Sequence, residues 1–150
     1  MSGKYFDEWI LGEEFVTATR TMTETDVVMF AAMSGDYNEL HTSVEVTRGN
    51  QFGKRIVHGL LGLAVSHGLL FRTGYLEGTA IAFLGVSEWK FIAPIFFGDT
   101  IHVKVKVVET KASNSKNDRG VLKLYLEILT QDGKIVQSGY KTLMMKRNRL

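Results

Sequence analysis

The chain has 150 residues, 45% of them hydrophobic, and a formal net charge of +2, which fits one domain spanning residues 1–150 with a sizeable core. This small charge does not favour a nucleic-acid-binding protein, and the lack of cysteine excludes disulfides, thiolate metal sites and a cysteine nucleophile. No apolar run reaches the roughly 18 residues of a membrane span and no signal-peptide pattern is present, so we expect a cytoplasmic protein that does not bind membranes.

The first predicted elements precede a segment without clear periodicity. Weak alternation over Glu14–Arg20 predicts a strand. The run Thr23-Glu24-Thr25-Asp26 predicts a capping box and a short helix, which Gly35 ends. We expect residues 36–55 to be mostly irregular, a length that is unusual in a compact domain unless the loop is functional.

A long helix is predicted next, over residues 55–71. Its residues are apolar on nearly every side, which is typical of a helix with no solvent face. We therefore expect Leu60 and Leu63 to belong to the core. A helix of this kind has to be wrapped by other elements.

The C-terminal half supplies long strands for that purpose. Apolar and polar residues alternate over 101–107 and over 122–128, which predicts antiparallel strands with one solvent-facing side. Asp132-Gly133 predicts a type I′ hairpin, and residues 112–120 a longer hairpin loop. We expect the basic tail, Lys146–Arg149, to be solvated. The predicted fold class is α+β, with a curved antiparallel sheet wrapped around a long central helix.

The segment 30–61 holds the residues best suited to catalysis. Asp36 and His41 lie five positions apart on an irregular segment, from which they can converge on one water molecule. Gly59 opens the long helix, where backbone N–H groups are free to bind an oxyanion. A carboxylate, an imidazole and an oxyanion site are the parts needed to add water across an activated double bond.

This segment resembles the signature of the MaoC-like dehydratases, which include the R-specific enoyl-CoA hydratases. That pattern reads roughly S-G-D-x-N-P-x-H-x-D and then F-G-x-x-I-A-H-G. Two positions depart from it, because Glu39 replaces the usual proline and Ser43 the usual aspartate. The departures put the local loop shape and the substrate preference in question. The residues that match are Ser34, Gly35, Asp36, Asn38, His41, Phe52, Gly53, Ile56, His58 and Gly59.

The resemblance implies a single hotdog fold and reversible, (R)-specific hydration of a trans-2-enoyl thioester without a cofactor. It implies that Asp36 and His41 are catalytic, that Asn38 orients His41 or the water, and that the Gly59 N–H polarises the thioester carbonyl. The substrate would be carried on coenzyme A or on an acyl-carrier protein. An unpaired sheet edge further predicts a homodimer or a dimer of dimers.

Lys54, Arg55 and His58 are the substrate-binding candidates. Lys54 and Arg55 precede the helix and are placed to meet coenzyme A phosphates, although exposed basic pairs are often only solvated. His58 has a second interpretation as a structural residue, packed or hydrogen-bonded at the helix start. No metal is expected, because the four histidines have no close ligand spacing.

Other functions remain alternatives at this stage. Asp36 taken alone is also a typical Asx-turn residue. Ser66 lies in an A-x-S-x-G run like a variant nucleophile elbow, but without the strand-turn-helix context that such an elbow requires. A hotdog thioesterase and a noncatalytic acyl-thioester binding module both share the predicted fold.

Overall fold

The structure is a computed structural model that describes residues 3–148. A single 3₁₀ turn, Phe6–Glu8, comes first. The helices are α1 Glu24–Ser34, α2 Glu39–Thr42, α3 Val44–Arg48 and α4 Gly59–Phe71. The strands are β1 Glu14–Val16, β2 Arg20–Thr21, β3 Ala80–Phe91, β4 Thr100–Ala112, β5 Arg119–Leu129 and β6 Ile135–Lys146.

The strands form an antiparallel sheet in the order β1-β4-β5-β6-β3, and β2 also pairs with β4. Inward-facing residues of β4, β5 and β6 share one hydrophobic core with α4; Val105, Leu124 and Leu143 pack in the same cluster as Leu61 and Leu69. The predicted architecture, an antiparallel sheet around a central helix, is confirmed. The predicted single first strand is instead two short strands, β1 and β2.

Helix α1 begins and ends as its sequence predicts. The Asp26 N–H donates to Thr23 Oγ1 at 3.2 Å, and the Thr23 N–H donates to Asp26 Oδ2 at 2.9 Å, which completes the capping box. Gly35 adopts a left-handed conformation with φ 78°, which glycine reaches without the steric cost of a Cβ atom.

The segment after Gly35 is less irregular than expected, because 9 of residues 36–55 are helical and 11 are not. Two short helices occupy it, and side chains cap both. Asn38 Oδ1 accepts from the Leu40 N–H at 2.9 Å, and Ser43 Oγ accepts from the Val46 N–H at 3.2 Å. Helices of four and five residues are too short to show a periodic apolar pattern.

Helix α4 is shorter than predicted and is not buried on every side. It begins at Gly59 rather than near residue 55. Leu60 is 61% exposed, on one stripe with Ala64 and Gly68, both of which are also exposed. Leu60 is therefore not part of this chain's core, and Leu63 is only half-buried. Composition alone cannot show which face of an all-apolar helix meets the sheet.

The turn between β5 and β6 is a hairpin of a different type from the predicted one. The Gly133 N–H donates to the Thr130 carbonyl, and the Thr130 N–H donates to the Lys134 carbonyl, both at 3.0 Å. Among the described residues only Gly133 of this loop has a positive φ, 74°, whereas a type I′ turn needs two. The loop is a three-residue turn that ends in a left-handed glycine.

The basic tail is less solvated than expected. Arg147 forms an ion pair with Asp7 at 2.7 Å, which fastens the end of β6 beside the N-terminal turn. Arg149 lies outside the described residues. Within residues 3–148, no helix is both long and apolar enough to cross a bilayer.

Candidate active site

Asp36 follows directly on the end of α1. Its backbone N–H donates to Ser34 Oγ, and its Oδ1 accepts from the Asn38 N–H, each at 3.2 Å. This is the Asx-turn geometry that the sequence allowed as an alternative. The second oxygen, Oδ2, points instead toward two imidazoles, and the side chain is 50% exposed. One carboxylate thus shapes the turn and also faces the site.

His41 lies on α2 with one ring nitrogen engaged by the backbone. Its Nδ1 is 2.7 Å from the Ile56 carbonyl oxygen, so Nδ1–H is the donor and Nε2 carries the free lone pair. Nε2 lies 4.0 Å from Asp36 Oδ2. That separation is too long for a direct hydrogen bond and suits a bridging water molecule.

His58 contacts both members of this pair. It is 2% exposed, and its Nε2 donates to the Asp36 carbonyl oxygen at 2.9 Å. Its ring stacks on His41 with centroids 3.8 Å apart and an interplanar angle of 28°. His58 occupies the N-cap position of α4 but makes no side-chain capping bond. Its ring is buried and hydrogen-bonded, and the contact is made with the Asp36 loop rather than the helix start.

Asn38 acts on His41 through the backbone. Its side chain caps α2, and its carbonyl oxygen accepts from the His41 N–H at 2.9 Å. The residue therefore sets the direction of the helix that carries the imidazole.

The two departures from the family pattern fall at helix starts. Glu39 is the first residue of α2, a position that suits proline but also suits an acid, because of the helix dipole. Ser43 caps α3, and serine is as good an N-cap as aspartate. Both residues suit the helix starts at which they lie, and Asp36 Oδ2 and His41 Nε2 lie 4.0 Å apart.

Gly59 brings the start of α4 to the same region. Its N–H is the first of the helix and has no acceptor within it. A Cβ atom at this position would lie 2.8 Å from the Phe91 ring, so a larger residue here would force that ring to shift. Gly59 lines a cavity of about 390 Å³. The other lining residues are mostly apolar: Phe52, Ile56, Val57, Phe91, Ile92, Ala93, Pro94, Ile95 and Gln137.

Gln137 is a buried polar residue of this cavity that the sequence analysis missed. Its Nε2 donates to the Gly59 carbonyl oxygen, and its Oε1 accepts from Trp89 Nε1, both at 3.0 Å. The sequence did contain a sign of this residue. In the two-residue period of β6, Gln137 and Lys141 fall on the same face as the inward-facing Leu143 and Met145. Polar residues at apolar positions of a strand indicate a functional or hydrogen-bonded site.

The structure places Lys54 and Arg55 beside a second cavity of about 230 Å³, which Arg48 also lines. Arg55 pairs with Glu24 at 2.7 Å, so much of its charge is already neutralised. Lys54 is exposed, lies 4.4 Å from the centre of the Phe96 ring and makes no ion pair among the described residues. Lys54 is the better placed of the two for an incoming phosphate.

Asp36, His41 and His58 also form a cluster that spacing in the sequence did not reveal. Their potential ligand atoms all lie within 4.8 Å of one another. His41 Nδ1 and His58 Nε2 are occupied by carbonyl oxygens, which leaves His41 Nε2 as the free ring nitrogen that faces Asp36 Oδ2. This arrangement suits proton transfer better than metal coordination.

Ser66 lacks the surroundings of a nucleophile. It lies inside α4, is fully buried, and its hydroxyl donates to the Leu63 carbonyl oxygen at 2.6 Å. No strand-turn-helix elbow surrounds it. Its geometry is that of a helix residue bonded to the preceding turn.

The model of the MaoC-like domain matches residues 8–126. The chain belongs to the MaoC-like dehydratase family. It is 32% identical over 114 residues to an (R)-specific enoyl-CoA hydratase of Aeromonas caviae, covering 76% of this chain and 79% of that protein. It is 37% identical over 102 residues to the protein MaoC of Klebsiella aerogenes, covering 68% of this chain but only 30% of that longer protein.

Solved structures support the same placement. A monoamine oxidase regulatory protein from Archaeoglobus fulgidus superposes with a TM-score of 0.90 at 31% identity, covering 99% of this chain and 98% of that one. A Mycobacterium tuberculosis protein with a double hotdog fold superposes with a TM-score of 0.82 at 19% identity, over 97% of this chain and 45% of that one. This MaoC-like chain therefore has a single hotdog fold.

Proposed function

We propose that this protein is an (R)-specific enoyl-CoA hydratase, which reversibly adds water to a trans-2-enoyl thioester. The observation that carries the proposal is the 4.0 Å gap between Asp36 Oδ2 and His41 Nε2, beside an apolar cavity that begins at the start of a helix. The similarity to the Aeromonas caviae hydratase supports it.

The reaction begins with the substrate carbonyl. Its oxygen accepts from the Gly59 N–H, which draws electrons from the double bond and makes C3 electrophilic. The negative charge that develops on this oxygen is stabilised by the donor and by the helix dipole. One donor of this kind typically contributes about 3 to 4 kcal/mol to transition-state stabilisation.

Water held between Asp36 and His41 then attacks C3. As the new C–O bond forms, the pair removes one proton from the water, and one proton is delivered to C2, so the two residues return to their starting protonation. The free Nε2 of His41 is a suitable acceptor for the first transfer. Acid-base help of this type contributes roughly 10²- to 10⁴-fold to rate. By resemblance to the family, the product is the (3R)-hydroxyacyl thioester.

The carrier of the acyl group is coenzyme A in this proposal, with an acyl-carrier protein as the alternative. Lys54 and the neighbouring basic cavity are suited to a phosphate group. His58 contributes to substrate binding indirectly, since its hydrogen bond to the Asp36 carbonyl oxygen holds the Asp36 loop against the start of α4.

We further propose a homodimer formed through β3. This strand is at the edge of the sheet, and its outer residues are apolar and exposed; Phe83 and Leu84 are each 48% exposed and Phe91 is 54% exposed. Exposed apolar edges associate readily. Pairing two β3 strands would also cover the rim of the cavity, because Phe91 lines it.

A side-by-side assay distinguishes hydration from the two other functions. Crotonyl-CoA, a longer trans-2-enoyl-CoA and a saturated acyl-CoA are incubated with the protein, and loss of enoyl absorbance and release of free thiol are recorded. The hydratase proposal expects loss of enoyl absorbance without thiol release. Thiol release from the saturated compound would instead identify a thioesterase. Binding of all three without turnover would identify a binding module.

A further inference from the structure

A buried lysine lies beyond the inner wall of the cavity. Lys141, on β6, is 1% exposed, and no carboxylate pairs with it among residues 3–148. Its Nζ is 3.5 Å from Ser66 Oγ and 5.7 Å from the centre of the Trp89 ring. Neither neighbour carries the negative charge that normally accompanies a buried cation.

A second unsatisfied group lies nearby. His67 Nδ1 is buried without a hydrogen-bond partner. His67 directly follows Ser66 in α4, and Ser66 Oγ lies 3.5 Å from Lys141 Nζ. Burial, and then the charge of Lys141, lower the pKa of His67. One anionic group between them would pair with the ammonium and accept a hydrogen bond from the imidazole.

The route from the cavity to Lys141 follows the inner face of β6. Gln137 lines the cavity, and Trp89 packs between it and Lys141, over Gly139, where a Cβ would lie 2.6 Å from the indole ring. Gln137 is held by two hydrogen bonds, each worth about 1 kcal/mol net. A ligand that reaches Lys141 from the cavity therefore requires the Gln137 amide to rotate and the Trp89 ring to shift.

The length of this route sets the size of the ligand. Ser66 lies seven residues after Gly59, which corresponds to about 10 Å along α4. A contact of about 3 Å at each end leaves roughly 4 to 5 Å, and an extended chain advances about 1.2 Å per bond. This distance fits about four bonds, from the thioester carbon to a carboxylate carbon at C5.

We propose that Lys141 recognises a carboxylate at the far end of the acyl group, so that the substrate is a thioester of a dicarboxylic acid with about five carbons. The hydration of such a substrate rests on the proposed function, whereas the binding of its carboxylate by Lys141 does not. His67 assists by donating a hydrogen bond to the same carboxylate.

Binding of unreactive ligands tests the recognition step directly. Calorimetry compares glutaryl-CoA with 5-methylhexanoyl-CoA, which replaces the carboxylate by an uncharged group of the same shape. We expect glutaryl-CoA to bind at least about 10-fold more tightly, and Lys141→Met to weaken it by about 100-fold without weakening 5-methylhexanoyl-CoA. Lys104→Met, on the exposed side of β4, is the matched control. Equal affinities, or equal losses for both ligands, would overturn the proposal.

Two further arms cover other outcomes. Free glutarate should bind far more weakly than glutaryl-CoA, whereas comparable, Lys141-dependent binding of both would show a general anion site and overturn the assignment to an acyl end. His67→Phe should weaken glutaryl-CoA selectively by about 5-fold, which tests the site if Lys141→Met does not fold. An unselective loss would count against it.

The same ligands in unsaturated form separate this inference from the hydratase proposal. Hydration of glutaconyl-CoA in preference to 5-methyl-2-hexenoyl-CoA would support both. Selective binding of glutaryl-CoA without any hydration would refute the hydratase function alone. Hydration of both enoyl compounds at equal rates, unaffected by Lys141→Met, would refute the carboxylate site alone.

Discussion

The imidazoles of His41 and His58 stack with their centroids 3.8 Å apart, and one ring N–H of each donates a hydrogen bond to a backbone carbonyl oxygen. His41 bonds to Ile56, which leads into α4, and His58 bonds to Asp36, which follows α1. Each of these hydrogen bonds joins the segment 36–41 to the segment 56–58, so together with the ring stack they hold the catalytic loop against the start of α4. This coupling keeps Asp36, His41 and Gly59 in one place.

The coupling predicts that His58 is a positioning residue. His58→Phe preserves an aromatic ring against His41 but loses the hydrogen bond to the Asp36 carbonyl oxygen. We expect kcat for enoyl-CoA hydration to fall about 10-fold, the equivalent of one net hydrogen bond, with little change in KM. His102→Phe, on β4, is the control. A kcat equal to that of the wild type would show that the hydrogen bond has no positioning role.

Substitution of Asp36 or His41 should lower kcat more than substitution of His58. Asp36→Asn and His41→Ala should each lower kcat for crotonyl-CoA by roughly 10²-fold or more. The double variant should lose much less than the sum of the two free-energy changes, because the residues act as one unit. Loss of enoyl absorbance measures the rates, and circular dichroism verifies folding. The matched control is Glu109→Gln, an exposed acid on β4; full activity of folded Asp36→Asn would refute the mechanism.

Helix α4 predicts a contrast between two of its leucines. Leu69 is 1% exposed, whereas Leu60 is 61% exposed. Leu69→Ala should lower the free energy of unfolding by about 2 to 5 kcal/mol, through lost burial and the cavity left behind. Leu60→Ala should cost at least about 2 kcal/mol less. Urea denaturation compares them, and equal losses would contradict the orientation of α4 described above.

Lys141 predicts a pH-dependent stability difference. Burial lowers its pKa from 10.5 to about 8, so the unfolded state binds more protons than the native state between about pH 8 and 10.5. Native stability therefore rises with pH across that window, and below pH 8 the full cost of the buried charge persists. At pH 7 this cost is about 3 kcal/mol, and Lys141→Met should remove it.

Urea denaturation of the wild type and Lys141→Met over pH 7 to 10.5 measures this difference. The stability advantage of the variant should shrink as pH rises. Other titrating groups are common to both proteins, and His67, whose pKa is lowered by burial and then by Lys141, is neutral in the native state across this pH range. A difference that stays constant with pH would show that the charge of Lys141 carries no cost in the native state.

The edge strand predicts the oligomeric state. A β3–β3 contact would bury Phe83 and Leu84, so the wild type should have the mass of a dimer at micromolar concentration by sedimentation. Leu84→Lys adds a charge to the contact and should shift the protein toward the monomer. Lys104→Met serves as the exposed-strand control. A fully active monomeric wild type would contradict the proposed interface.

Residues close together in the chain were predictable, because their physics is local. The Thr23 capping box, the glycine that ends α1 and the alternation along β4 and β5 each depend on a few neighbouring residues. The motif likewise identified Asp36, His41 and Gly59 as candidates. Its two departures, Glu39 and Ser43, became understandable only with helices α2 and α3 in place, since both residues act at helix starts.

Only the tertiary structure determined the contacts between segments that are distant in the chain. The stack of His41 on His58, the contact of Gln137 with Gly59 and the burial of Lys141 against Ser66 each join residues at least 17 positions apart. The exposed face of α4 was also undetermined by its sequence, because a helix that is apolar all round has no polar stripe to orient it. Local patterns set the elements of this protein, and the packing of residues 91–95 and Gln137 against the start of α4 set the composition of its cavity.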